Sequence, residues 1–402
     1  MTIRKAVFLC DWHSEGGPFT FLQRATANLE YFGWRAEIVI VPSSLPCTFN
    51  LRSQIIPTKV VSHSYSWRQL GKRLALAISD SNPDVVVGFP IRGAPVAMRR
   101  LYRAGRFSAR FLDLIQSDLP SEYVRVRANS DFASAVGCVS EACIKAAVRD
   151  ITQVEERIFR VYYPVPCESS PPALAADWHR IRLAYLGTVM QQYKRVLDFI
   201  PLVTALLERN VDFELTIIGD GTERHQLEQG FRSIPGASTR VRFLGLLPNQ
   251  EALQVLSRQD VLLLLSEVEG QPIAMLEAMA LGVVPVVSDL AGLREIIVAG
   301  ENGFLVPVGA TTEFASKIEH LARTTEVRRK MALAAWKTVF ADHEMKTAVG
   351  RFAETLETVC GLPLPDRRRL APDTYPDNAM NRYRIPHYIQ GLKRRLMKQV
   401  VF

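Results

Sequence analysis

Val261-Leu-Leu-Leu-Leu-Ser-Glu-Val-Glu-Gly-Gln-Pro-Ile-Ala-Met-Leu-Glu-Ala-Met-Ala-Leu-Gly-Val-Val-Pro-Val-Val287 is the stretch on which the fold turns. Val261–Leu265 is an unbroken apolar run. Ser266 to Pro272 interrupt it with two carboxylates, a glycine and a proline. Ile273 to Leu281 are mostly good helix formers, and Gly282 and Pro285 mark the return to a second apolar strand, Val283–Val287. A strand that is apolar at every position needs cover on both faces, as in a parallel sheet with helices on either side. The order strand, loop, helix, strand is therefore one βαβ unit. Glu269 belongs to its loop and Glu277 is expected about two turns into its helix. Gly270, Gln271 and Pro272 open that helix, whose first N–H groups and positive dipole end suit a diphosphate. Carboxylates accept hydrogen bonds from vicinal hydroxyls, so a pair bracketing a phosphate site can hold a ribose and a hexose.

The same alternation extends in both directions. Strands are expected at Lys5–Cys10, Ala36–Val41, Asp84–Phe89, Arg110–Ile115 and Ala135–Val139. A second set is expected at Arg182–Leu186, Phe213–Ile218, Arg240–Leu244, Val261–Leu265, Val283–Val287 and Phe304–Val306. Helices are expected between them, among others at Ser66–Ser79, Val196–Arg209, Asn249–Arg258 and Phe314–Arg323. Two rounds of βαβ predict an α/β protein of two doubly wound domains. A chain of 402 residues suits two cores better than one. The proline-rich break Tyr163–Pro172 marks the boundary. The domains expected are 1–170, 180–345, a helix at 346–360 returning to the first domain, and a basic tail at 361–402. A cleft between two such domains is the default ligand site.

Composition excludes several classes. Hydrophobic residues make up 48% and charged residues 22%, as in an ordinary globular enzyme. Cys10, Cys47, Cys138, Cys143, Cys167 and Cys360 show neither C-x-x-C nor zinc spacing, so a reduced, cytoplasmic chain is expected. The N-terminus reads as a buried first strand rather than a signal peptide, and the apolar runs fall far short of the roughly 20 residues that span a bilayer. Of the net charge of +8, most belongs to 361–402, with nine Lys/Arg against three Asp. No nucleic-acid partner is expected. No G-x-G-x-x-G follows the first strand and no Walker sequence occurs. No D-x-D triplet ends a strand, so no metal is expected and no cofactor beyond a co-substrate.

Glu269 and Glu277 in the run EGQPIAMLEAMALGVVPVV resemble, nearly residue for residue, the E-x7-E core of the family 4 group of retaining glycosyltransferases, or glycosyl transferases group 1. The likeness continues through Ser288-Asp-Leu-Ala-Gly-Leu-Arg-Glu-Ile-Ile and Glu301-Asn-Gly-Phe-Leu-Val. It covers about 181–325 clearly and the first half loosely. It implies a GT-B architecture: two Rossmann-like doubly wound parallel-sheet domains facing a cleft. It also implies transfer of a hexosyl unit from a nucleoside-diphosphate sugar to an acceptor hydroxyl with retention, in cell-surface polysaccharide or lipopolysaccharide synthesis. By resemblance, Glu269 faces the donor sugar and Glu277 the ribose, with Gly270, Gln271, Pro272 and Ile273 between them.

Lys194 matches the lysine that neutralises the leaving diphosphate. Thr188 stands where the family has Arg, and Arg195 is a candidate to compensate. Ile217-Ile218-Gly219-Asp220-Gly221 resembles the family's G-x-G turn, and Phe243–Asn249 the segment beside the base. Gly16 and Gly17 resemble the glycine pair that approaches the transferred sugar and phosphate. His13 in that loop is a candidate acceptor contact. Gln116, in Leu114-Ile-Gln-Ser-Asp, replaces a His that donates to the donor sugar; Gln can still donate but carries no charge. Glu269, Lys194 and Gln116 are thus the expected catalytic residues. The partners expected are a nucleotide-sugar donor, a glycan or lipid-linked acceptor and an anionic membrane surface. Ile385, Ile389, Leu392, Leu396 and Val400 form a helical stripe in 385–402, with Lys393, Arg394, Arg395 and Lys398 mostly off it. That places the chain in the cytoplasm, peripheral on the inner face of the plasma membrane. The departures at Thr188 and Gln116 keep a non-catalytic sugar-nucleotide-binding protein open, as the shared fold does an epimerase or a phosphorylase.

Overall fold

The computed structural model describes residues 3–12, 16–42, 56–62, 64, 66–91, 93–151, 155–172 and 180–372. His13 and the 385–402 segment lie outside the described residues. The chain divides into two compact units, Met1–Pro164 with Ala348–Phe402, and Val165–Thr347.

In the first unit the strands are β1 (Arg4–Trp12), β2 (Trp34–Pro42), β3 (Thr58–Val60), β4 (Val85–Gly88), β5 (Arg110–Ile115), β6 (Ala135–Cys138) and β7 (Ile158–Arg160). They form one sheet in the order β3-β2-β1-β4-β5-β6-β7, every neighbouring pair parallel. The helices are α1 (Gly17–Asn28), α2 (Trp67–Ser81), α3 (Ala94–Ala104), α4 (Pro120–Ala128) and α5 (Glu141–Asp150). In the second unit the strands are β8 (Ile181–Leu186), β9 (Phe213–Ile218), β10 (Val241–Gly245), β11 (Val261–Leu264), β12 (Val284–Ser288) and β13 (Phe304–Val306). Their order, β10-β9-β8-β11-β12-β13, is again wholly parallel. The helices are α6 (Phe199–Glu208), α7 (Arg224–Arg232), α8 (Asn249–Leu256), α9 (Ile273–Ala280), α10 (Thr311–Arg323) and α11 (Thr325–His343). The last α-helix among the described residues, α12 (Met345–Gly361), carries Phe352 onto Phe8 and Phe21 of the first unit. Both sheets have the strand order of a Rossmann-like fold.

Apolar runs became strands because both faces are covered: every residue of β4, β6, β11 and β12 is buried. Burial is not universal: no residue of the edge strand β10 is buried, and two further strands fall outside every expected apolar run. β3 and β7 are three residues each, none of them buried, and they sit at the sheet edges. Ser66 is not the first residue of α2 but its cap, accepting from the Gln69 N–H. Ser140 likewise caps α5 by accepting from the Cys143 N–H at 3.1 Å. The expected helix 196–209 splits into a 3-10 turn, Val196–Asp198, and α6. The stretch read as an extended linker is fastened where it is described. Leu362 O accepts from Arg110 Nε, Gly105 O from Arg367 Nη2, and the Ala371 N–H donates to Asp131, each at 2.8 Å. No helix among the described residues is long and apolar enough to cross a membrane.

Glu37 ties three strands and a helix of the first unit. Its buried carboxylate accepts from Lys5 Nζ at 2.6 Å, Lys59 Nζ at 3.2 Å and Ser81 Oγ at 2.7 Å. Burial pushes its pKa up, but the bonds from Lys5, Ser81 and Lys59 outweigh it and hold the carboxyl below its ordinary 4.5. A lowered folded pKa means stability that is present above about pH 4.5 and lost as pH falls. Glu37→Gln should therefore cost about 1–2 kcal/mol at pH 7 in urea unfolding. The gap to the parent should close as the pH is lowered through 4.5 and below; a gap that persists at low pH would locate the cost in packing instead.

Candidate functional site

β8 and β11 are neighbours at the point where the strand order of the second unit reverses, so their C-terminal ends open side by side. The loop after β8 carries Lys194 and the loop after β11 carries Glu269. Their side chains meet: Lys194 Nζ lies 2.6 Å from Glu269 Oε1. Ser266 Oγ donates to the same oxygen at 2.7 Å, and the Glu267 N–H donates to Tyr193 O at 2.9 Å. Glu269 is nearly covered, with 8% of its side chain exposed, whereas Lys194 keeps 28%. The lysine is thus the more exposed half of the pair.

The backbone at Lys194 is unusual. Tyr193 and Arg195 on either side of it have left-handed φ of 68° and 50°. For side-chain-bearing residues that conformation costs about 1–2 kcal/mol each. The turn is retained by a local net of bonds. Gln191 O accepts from the Arg195 N–H and Gln191 Oε1 from the Leu197 N–H, both at 2.9 Å. The Arg195 guanidinium binds Asp198 at 2.8 Å and Glu267 at 3.4 Å, and those two carboxylates, Asp198 foremost, raise its pKa. Arg195 is therefore already engaged by carboxylates.

Thr188 is exposed, and its carbonyl accepts from the Tyr185 hydroxyl at 2.7 Å. Burial pushes that hydroxyl's pKa up, and the charge of Glu269 adds to the effect. The glycines of the next turn answer to this loop. Gly219 has φ 130°, and a Cβ there would stand 1.9 Å from Gly187 O; one on Gly221 would stand 2.1 Å from Val189 O. The two loops touch backbone to backbone, with Gly187 N donating to Ile218 O and Val189 N to Asp220 O at 3.0 Å each.

α9 starts at Ile273, with Pro272 at its cap. Glu277 is four residues in, a little over one turn rather than the two expected from sequence, because Gly270 to Pro272 stay in the loop. Glu277 is 3% exposed and accepts from Asn249 Nδ2, at the start of α8, at 3.0 Å. Gln271 is 3% exposed, yet neither polar atom of its amide has a partner within the protein.

Lys194, Thr188, Arg195, Glu269, Gly270, Gln271, Pro272 and Ile273 lie in the loops or first turn at this end of the second sheet, and Glu277 lies just beyond the first turn of α9. Gln116, Gly16 and Gly17 belong to the first unit. Gln116 follows β5, and its Nε2 is buried without a partner. Gly16 is the extended N-cap of α1, and its carbonyl accepts from the Phe19 and Thr20 N–H groups at 3.0 Å. Sequence reasoning missed Ser266, Glu267, Asp198 and Asn249. Ser266 and Asp198 bind Glu269 and Arg195 three residues away on their own loops, whereas the partners of Glu267 and Asn249 appear only when remote segments are brought together.

Residues 180–324 match the family described as Glycosyl transferases group 1. The chain is 25% identical over 286 residues to the N-acetyl-alpha-D-glucosaminyl L-malate synthase of Bacillus anthracis, spanning 71% of this chain and 68% of that protein. It is 34% identical over 143 residues to the lipopolysaccharide 1,6-galactosyltransferase of Salmonella typhimurium, spanning 35% of this chain and 38% of that one. The fold matches Anabaena Alr3699/HepE in complex with UDP and glucose with a TM-score of 0.72 at 19% identity, over 88% of this chain and all of that one.

Gly219→Ala should destabilise the second unit by about 2–4 kcal/mol, because both φ and the Gly187 carbonyl oppose a Cβ. Gly236 shares a positive φ of 81° but has nothing within 4 Å of its Cβ position, so Gly236→Ala should cost only about 1 kcal/mol. Thermal unfolding of the two variants compares them directly; equal losses would show that the loop contact is not tight.

Proposed function

We propose the reaction from one premise: the chain is a glycosyltransferase of two Rossmann-like units, whose second unit carries the glycosyl transferases group 1 match. It moves a hexosyl unit from a nucleoside-diphosphate sugar to an acceptor hydroxyl, with retention at the anomeric carbon and without a metal ion. The observation that carries the reading is the Lys194–Glu269 pair in the loops after adjacent strands, with the buried Glu277 a little over one turn into the helix that follows. Glycosyl transfer passes through a transition state with oxocarbenium character, positive at the sugar and negative at the leaving phosphate. A carboxylate and an ammonium held side by side match that separation of charge.

In this reading Lys194 and the first N–H groups of α9 meet the diphosphate. Glu269, fixed by Ser266, orients the sugar and stabilises its developing charge. Glu277, fixed by Asn249, holds the ribose hydroxyls. By the resemblance alone, Gln116 is a candidate neutral donor to the donor sugar. The leaving phosphate accepts the acceptor's proton. Retention rests on the family resemblance. Metal independence rests on the lack of a D-x-D triplet and on Lys194 as the cation in its place.

The lipopolysaccharide and UDP–glucose relatives support a UDP-type donor and a role in cell-surface polysaccharide or lipopolysaccharide synthesis. The 385–402 sequence supports a lipid-linked acceptor met at an anionic membrane.

Glu277→Ala should leave the fold intact and weaken binding of UDP about ten- to a hundred-fold, the worth of a hydrogen bond to a charged group. Calorimetry checks it, and unchanged affinity would remove Glu277 from the ribose. EDTA should leave transfer from a UDP-sugar intact. Activity that disappears with EDTA and returns with Mn²⁺ would overturn the metal-free reading.

A further inference from the structure

We propose that Arg195 is a positioning residue: clamped between Asp198 and Glu267, it holds the left-handed turn that aims Lys194 at the donor's diphosphate. The inference rests on the assignment of Lys194 to that diphosphate and adds a device nothing in the resemblance supplies. The resemblance points the other way, to Arg195 as a second phosphate ligand compensating for Thr188.

Three observations favour the clamp. First, the strain lies on both sides of the lysine: Tyr193 and Arg195 are left-handed although neither is Gly, Asn or Asp. Such residues persist only where their surroundings over-determine them. Second, the surroundings that do so belong to both loops. Asp198 lies on the lysine's own loop at 2.8 Å from the guanidinium, and Glu267 lies across on the loop of Glu269 at 3.4 Å. The Glu267 N–H also donates to Tyr193 O at 2.9 Å, so Glu267 grips the strained turn twice, by backbone and by side chain. Third, the guanidinium is matched by two carboxylates. Freeing it for a phosphate would leave Asp198 and Glu267 beside an incoming anion, and like charges at that range repel. Lys194 is matched by one carboxylate instead of two, and that carboxylate keeps the Ser266 hydroxyl as a second donor at 2.7 Å. Its partner Glu269 is two residues beyond Glu267, so the turn and its target are fixed by the same loop. The ion pair thus converts a strained backbone into a defined direction for one ammonium group.

The two roles for Arg195 predict opposite results when its carboxylates are neutralised. Purified full-length protein is titrated by calorimetry with inorganic pyrophosphate, which carries the diphosphate chemistry common to nucleoside-diphosphate donors. Lys194→Ala should weaken pyrophosphate binding about tenfold or more, as loss of a charged contact does. Arg195→Ala should also weaken it about tenfold, but should add less than about twofold in the Lys194→Ala background, because both act through one ammonium. The double variant Asp198→Asn/Glu267→Gln should weaken binding as well, with melting temperature held within about 2 °C of the parent. If that double variant binds pyrophosphate as well as or better than the parent, Arg195 is itself the phosphate ligand and the proposal falls. Unchanged binding by Arg195→Ala alone, or full additivity with Lys194→Ala, overturns it too. Failure of the underlying assignment looks different: the parent then shows no pyrophosphate binding, or Lys194→Ala binds as the parent does.

Discussion

A parallel strand buried on both faces can offer only its ends to a ligand. Its side chains are committed to two helix layers, and its backbone N–H and C=O groups are committed to the neighbouring strands. β11 and β12 are buried at every position, so this part of the molecule has nowhere to place polar chemistry except in the loops that follow the strands. Within each unit the strand order reverses beside the first strand, which draws neighbouring loops apart and leaves room there. Glu269 and Lys194 stand at that place in the second unit, and the residues that hold them follow from it.

Charge at such a place must be matched. A carboxylate with 8% exposure is costly unless it is paired and hydrogen-bonded. Glu269 meets that demand with Lys194 and Ser266, and Glu277 draws a bond from Asn249. The buried amides of Gln271 and Gln116 do not meet it from within the protein: both polar atoms of the first and Nε2 of the second lack protein partners. Unpaired buried amides of this kind are uncommon, and each calls for a cause.

Much of this was readable in the order of residues. Arg110–Ile115, Phe213–Ile218 and Phe304–Val306 are strands at the expected limits, and the others moved by a residue or two, because continuous apolar runs are governed by burial, which is local in sequence. The glycines of the 219–221 turn were legible as glycines, but their reason was not. The backbone of another loop lies against them and leaves no room for a Cβ. β3 and β7 escaped notice because an edge strand is held by one neighbour and needs no apolar run to form.

The sequence by itself determined the two rounds of βαβ, the apolar strands and the carboxylates of the E-x7-E run, since each depends on the kind and spacing of neighbouring residues. Only the tertiary structure decided which of those side chains meet. Lys194 and Glu269 are far apart in the chain and 2.6 Å apart in space because β8 and β11 share a register. Arg195 read as a phosphate ligand on its own loop, and the approach of Glu267 from the other loop is what turns it into a clamp. Hydrogen bonds and ion pairs act over a few ångströms, and distances of that size between remote residues exist only after the sheet has set them.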